Sequence, residues 1–204
     1  MHMIYIIGGA PRCGKTKLAQ KLSKKLNIPI FSTDQLRKDI LKSTPYNKID
    51  IRFPFEKMFQ GDKVDDFFAN HTAKDILNAD LRESRSLWKI INDFIEDKIH
   101  LNQDYIIEGV HLLPKYINLL PKLGEKFKIM YIGKIDTDKI LYGLKRNTDK
   151  NDWILGHIYK RRSLLKAAEM VSLYSKYFFR EAKKYHFKFI NTEDDFHQKL
   201  KNNL

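Results

Sequence analysis

MIYIIGGAPRCGKT, residues 3–16, is the stretch on which the reading of the fold turns. It opens with the apolar run Met3-Ile4-Tyr5-Ile6-Ile7. Such a run, short and β-branched, is the pattern of a strand buried on both faces of a parallel sheet. Gly9 and Gly14 then bracket four residues, and Lys15 and Thr16 follow. After them Leu18, Leu22 and Leu26 recur every fourth position, one face of a helix. The order is strand, glycine loop, helix.

The loop itself, Gly9-Ala10-Pro11-Arg12-Cys13-Gly14-Lys15-Thr16, fits the pattern G-x-x-x-x-G-K-[ST] in full. The spacing has a physical reason. Glycines let the backbone turn so that successive N–H groups point at phosphate oxygens, and the following helix adds the positive end of its dipole. The residues of the loop, with Lys17 at the helix start, are therefore expected to hold the phosphates of a nucleotide. Lys15 is expected to reach the outer phosphates and Thr16 to ligate Mg²⁺. Cys13, the lone cysteine, excludes an intrachain disulfide and is read as a small filler. It fits a reducing, cytoplasmic setting.

Outward from the loop, four more apolar runs read as strands: residues 28–31, 105–107, 128–132 and 187–190. Helical patterns lie between them, including residues 87–95, 137–146 and 153–184. This alternation predicts an α/β fold with a parallel sheet. Two segments break it. Residues 43–80 hold Pro45, Pro54, Gly61 and several aromatics without a strand run, and predict a helical cap over about 45–82. Residues 146–152, Arg-Asn-Thr-Asp-Lys-Asn-Asp, are all polar and predict an exposed loop. At 204 residues, 43% hydrophobic and 31% charged, the chain is expected to form a single domain over 1–204. It has no run long enough for a membrane span and no signal-peptide layout. The net charge of +13 attracts anions. It permits a nucleic-acid partner without demanding one, since Lys-rich compositions give basic proteins of every function. No dimer seam is visible.

Two strand ends carry further candidates. After the second strand comes Ser32-Thr33-Asp34-Gln35-Leu36-Arg37. In open α/β sheets ligands bind at the carboxyl ends of strands, so Asp34 is placed beside the loop, where a carboxylate can accept the proton of an acceptor hydroxyl. Arg37 lies on the same helical face and is expected to hold an anionic acceptor. After the third strand, Glu108-Gly109 and then His111 follow Tyr105-Ile106-Ile107. Glu108 is expected to help order Mg²⁺, while His111 reads equally as a substrate contact or as a residue packed at a helix start.

These motifs together resemble the small P-loop kinases of the nucleoside-monophosphate-kinase-like group, in particular 2-phosphoglycerate kinase and its uncharacterised relatives. The resemblance implies a three-layer fold with a five-stranded parallel sheet in the order 2-3-1-4-5, and a lid at about 147–152. It implies that Arg146 and Arg161 or Arg162 stabilise the transferring phosphoryl group. It implies too that the loop starting at Asn191-Thr192 lies against the adenine. The expected activity is transfer of the γ-phosphoryl group of ATP, with Mg²⁺, to a hydroxyl of a small, anionic metabolite. A 5′-hydroxyl polynucleotide kinase and a non-catalytic nucleotide-binding switch are the alternatives. Phe53, Phe55, Phe59, Phe67 and Phe68 either cover the acceptor or form the cap's own core.

Overall fold

The structure, a computed structural model, describes residues 2–59, 63–120, 126–146, 158–194 and 198–199. Its centre is a five-stranded sheet in the order β2-β3-β1-β4-β5. The strands are β1 (Ile4–Gly9), β2 (Ile30–Ser32), β3 (Tyr105–Glu108), β4 (Phe127–Gly133) and β5 (Lys188–Asn191), all paired in parallel. Each of the five apolar runs in the sequence is a strand. Alternate residues of a strand face opposite sides, so Ile6 and Ile107 enter one core with Leu87, Ile91 and Ile95. Ile7 and Ile106 enter the other, with Leu18, Leu22, Tyr131 and Phe178.

The helices occupy both faces. They are α1 (Lys15–Leu26), α2 (Thr33–Ser43), α3 (Tyr46–Arg52), α4 (Pro54–Phe59), α5 (Val64–Asn70), α6 (Ala73–His100), α7 (Pro114–Ile117), α8 (Thr137–Arg146) and α9 (Arg161–Lys184). The expected cap is built of α3, α4 and α5, and two non-helical residues, His71 and Thr72, lead from it into α6. That helix has 28 residues and starts at a capping box, with Thr72 and Asp75 satisfying each other's backbone N–H groups. The pattern at 87–95 is only its middle.

One boundary is corrected. The helix expected over 153–184 starts at Arg161, and residues 158–160 are not helical. Asp65 gives the reason. This buried carboxylate accepts from the backbone N–H groups of Tyr159, at 3.0 Å, and Lys160, at 3.2 Å. Donors fixed from α5 cannot continue a helix backwards. Burial alone would raise the Asp65 pKa, but bonds from Ser163, Tyr159 and Lys160 hold it below the usual range. Asp65 thereby ties the cap to α9.

Candidate functional site

The glycine loop joins β1 to α1 at the carboxyl edge of the sheet. Gly9 (φ 125°), Arg12 (φ 62°) and Gly14 (φ 100°) all have left-handed backbone, which folds the loop into a concave row of N–H groups. A side chain at Gly9 has no room: a Cβ there would stand 2.1 Å from the Ile132 carbonyl oxygen. Lys15 Nζ donates to the Ala10 carbonyl at 2.8 Å, folded over its own loop. Cys13 is buried, and burial pushes its thiol pKa up, so it is a packing residue here.

Register puts the β3 acid beside the loop. Glu108 pairs with Ile7 of β1 and Ser32 of β2, so its side chain emerges between these strand ends. Its Oε2 accepts from the Thr16 hydroxyl at 3.2 Å. Burial raises its pKa, with Lys15 opposing and Asp34 reinforcing. Thr16 and Glu108 thus form one hard-oxygen pair next to a lysine, a donor set that fits Mg²⁺ with retained waters.

Asp34 stands in the first turn of α2, its side chain 54% exposed. Its carboxylate lies 3.5 Å from His111 Nδ1. The imidazole is buried beneath it, with Nδ1 also 3.0 Å from Thr33 Oγ1 and Nε2 3.7 Å from Asp80. Gly109 makes this possible. At φ 146° it brings Thr33 so close that a Cβ would lie 1.8 Å from the Thr33 hydroxyl. His111 therefore bridges Asp34 and a carboxyl from α6 that sequence reasoning passed over.

Burial pushes the His111 pKa down to about 4, and Asp34 opposes that shift. Asp80 moves up to about 7, by burial first and then by Glu83 and Asp34, against a Tyr174 hydrogen bond and Arg37. The two shifts offset each other. His111, depressed from 6.5, contributes stability that is lost as pH falls through about 4. Asp80, raised from 3.8, contributes stability that is lost as pH rises through about 7. Between these limits folding moves one proton from the imidazole to the carboxyl, so the pair contributes no slope. His111→Gln is expected to unmask a fall in stability from about pH 4 to 7. Asp80→Asn is expected to unmask a rise from about pH 4 to 6.5. Urea unfolding at stepped pH reads both slopes, and slopes of the same sign would break the argument.

Arg37 is not where an anionic acceptor would find it unmatched. Its Nε donates to Glu83 at 2.6 Å, and its Nη2 donates to Glu83 at 3.3 Å and Glu56 at 3.2 Å. Its guanidinium also lies 5.6 Å from the Phe53 ring centre and 5.7 Å from that of Phe55. Asp80, Glu83 and His111 place ligand atoms within 4.8 Å of one another. However, both Glu83 oxygens already accept, from Arg37 and from the backbone N–H groups of Phe55 and Glu56. A dication would have to displace Arg37, so Glu83 belongs to an ion pair rather than to an open metal site.

Between the glycine loop and the cap lies a cavity of about 500 Å³. Pro11 and Asp34 line its floor, and Phe55 and Phe59 line it from α4. Asp80 and Tyr174 line it from α6 and α9. The aromatic residues of the cap are thus divided: Phe53, Phe67 and Phe68 are buried, while Phe55 and Phe59 face the cavity.

The remaining candidates lie elsewhere. Arg146, in the last turn of α8, packs on Tyr142 with its guanidinium 5.2 Å from the ring centre and donates to the phenol oxygen. The lid at 147–152 is outside the described residues. Arg161 and Arg162 are exposed in the first turn of α9. Thr192 is buried, and its hydroxyl donates to the Cys13 carbonyl at 3.1 Å, bracing the loop from behind. The Asn191 side chain turns to Glu193, donating to its carboxylate at 2.9 Å and accepting from its N–H at 3.0 Å.

No protein-family model matches the chain, and no curated protein is similar to it in sequence. Solved structures are similar in fold. Shikimate kinase from Bacteroides thetaiotaomicron superposes with a TM-score of 0.54 at 13% identity, over 98% of this chain and 96% of that one. Dephospho-CoA kinase from Campylobacter jejuni gives 0.46 at 14% identity, over 100% and 96%. An uncharacterized protein from Eubacterium ventriosum gives 0.46 at 17%, also over 100% and 96%. The chain therefore has the α/β fold of the P-loop kinase structures, with its five parallel strands in the order 2-3-1-4-5.

Proposed function

We propose that the chain is a P-loop kinase, a single domain that transfers the γ-phosphoryl group of ATP to an alcohol of a small molecule held in the cavity under the cap. The observation that carries this reading is Asp34. It lines a cavity whose floor also includes Pro11 of the phosphate-binding loop. An acceptor seated there would have its hydroxyl between a carboxylate and the terminal phosphate.

The residues divide the work. Residues 9–17 hold the phosphates through backbone N–H groups other than those of Pro11, which has none, and Ala10, which donates to the Ile132 carbonyl at 3.0 Å. Lys15 leaves the Ala10 carbonyl to meet the β- and γ-oxygens. Thr16 and Glu108 would hold Mg²⁺, which when bound neutralises charge on those oxygens. The acceptor oxygen bonds to the γ-phosphorus as the bond to the β–γ bridging oxygen breaks. ADP leaves with that electron pair, and the hydroxyl proton passes to Asp34. His111 fixes Asp34 from below. Arg146, Arg161 and Arg162 would supply positive charge to the transferring group. The start of α9 supports that role. Arg161 and Arg162 stand exposed in its first turn, which holds no acid of its own. The helix dipole disfavours cations there, so stability alone does not account for them.

No helix among the described residues is long and apolar enough to cross a membrane. A screen with labelled ATP, Mg²⁺ and a panel of alcohols tests the reading, with Lys15→Ala as blank. Transfer that disappears in the Lys15 variant is the expected result. Transfer confined to 5′-hydroxyl oligonucleotides would replace the small acceptor by a nucleic acid. Tight ATP binding without transfer to any acceptor would leave a nucleotide-binding switch.

A further inference from the structure

The sign of charge around the cavity bears on what the acceptor is, and this rests on the kinase reading above. In isolation Arg37 points to a phosphate or carboxylate. In the fold its charge is already matched twice. Glu83, 0% exposed, accepts two hydrogen bonds from it behind the cavity wall, and Glu56 accepts a third within the wall. That leaves Lys38 as the other lining cation, against the carboxyls of Asp34 and Asp80. The rest of the lining is largely apolar, with Phe55, Phe59, Val110 and Met170. A chain of net charge +13 thus encloses a cavity in which carboxyl groups outnumber cations. The contrast sets the cavity apart from the chain's general basic composition.

An acceptor bearing its own phosphate would enter beside the triphosphate of ATP and meet the carboxylates of Asp34 and Glu56, with Asp80 adding charge only as it ionises near pH 7. In a partly desolvated site, like charges a few ångströms apart repel far more strongly than in water. Arg146, Arg161 and Arg162 do not line the cavity. An uncharged alcohol meets none of this cost. An amine gains from it, because an ammonium group can replace part of Arg37's role opposite Glu56 or pair with Asp34. Apolar walls with aromatic rings favour a ligand with a flat or apolar face.

We infer that the acceptor is an alcohol free of phosphate and carboxylate groups, uncharged or amine-bearing, with an apolar or ring-shaped body. This replaces the anionic metabolite that Arg37 suggested in the sequence.

The test uses the full chain and three sets of probe acceptors with labelled ATP. Uridine and adenosine form the uncharged set. Kanamycin and ethanolamine form the amine set. Glycerol 3-phosphate, 2-phosphoglycerate and shikimate form the anionic set. The expected kcat/KM for the best uncharged or amine probe exceeds that for the best anionic probe by about tenfold or more. Glu56→Gln, which frees part of Arg37, is expected to lower the amine-to-anion ratio of kcat/KM by about tenfold. A merely structural role for Glu56 would lower all acceptors together and leave that ratio unmoved, which would overturn the inference. Preferred transfer to an anionic probe would also overturn it while upholding the kinase reading. Failure of transfer to every probe, with ATP still bound, would overturn both.

Discussion

Asp34→Asn is expected to slow phosphoryl transfer by about 10²–10⁴-fold, the range for removal of a positioned general base, while ATP binding persists. Asparagine keeps the shape of the side chain and can still face His111, so the cavity stays formed. What it loses is the capacity to take a proton and the charge beside the γ-phosphate. The stability cost is small. A carboxylate in the first turn of a helix contributes about 0.3–1 kcal/mol, and Asp34 is half exposed. Single-turnover rates and ATP titration separate the two effects. Full turnover in the variant would remove Asp34 from the role of base.

The largest stability effect is expected at Glu83. It receives two hydrogen bonds from Arg37 and one each from the N–H groups of Phe55, at 2.7 Å, and Glu56, at 3.2 Å. Glu83→Ala strands the Arg37 guanidinium, 15% exposed, with Glu56 as its remaining carboxylate, and leaves two donors at the start of α4 without this acceptor. Breaking a buried pair in this way costs about 3–5 kcal/mol, a large share of the roughly 5–15 kcal/mol that holds a domain together. The double variant Arg37→Met with Glu83→Leu removes both charges and is expected to recover much of that loss. Urea unfolding compares them. If the double variant is as unstable as Glu83→Ala, the stranded charge is not the cause.

What the sequence disclosed, and what it hid, follows from the kind of signal each feature leaves. The glycine loop is local, since its backbone shape depends on residues within eight positions, and so is each buried strand. Residues 137–146 form the expected helix from end to end. The acids of the site are a different case. Asp80 and Glu83 fall on the same face of α6 as Ile76, Leu87, Ile91 and Ile95. Two carboxyls interrupting an apolar stripe are the legible mark of buried charge, but the mark shows only once the helix is known to be continuous from Ala73. The aromatic, proline-containing cap obscured that continuity. Arg37 illustrates the other limit. Its distance from Asp34 along the helix was readable, but its pairing with a residue 46 positions away was not. The start of α9 was likewise set by Asp65, 94 positions from Tyr159.

The sheet order also fixes when the nucleotide site can come into being. β1 precedes the other four strands in the chain, yet it is the middle strand, paired with β3 from Ile4 to Tyr105 and with β4 from Ile4 to Phe127. Neither neighbour exists until about a hundred further residues have been synthesised. At cellular translation rates, its apolar segment waits on the order of ten seconds for its partners. Such long-range pairing makes for slow folding. The loop that Thr192 braces is completed later still, when β5 arrives. A nucleotide held by this loop would therefore act on chains already synthesised through β5.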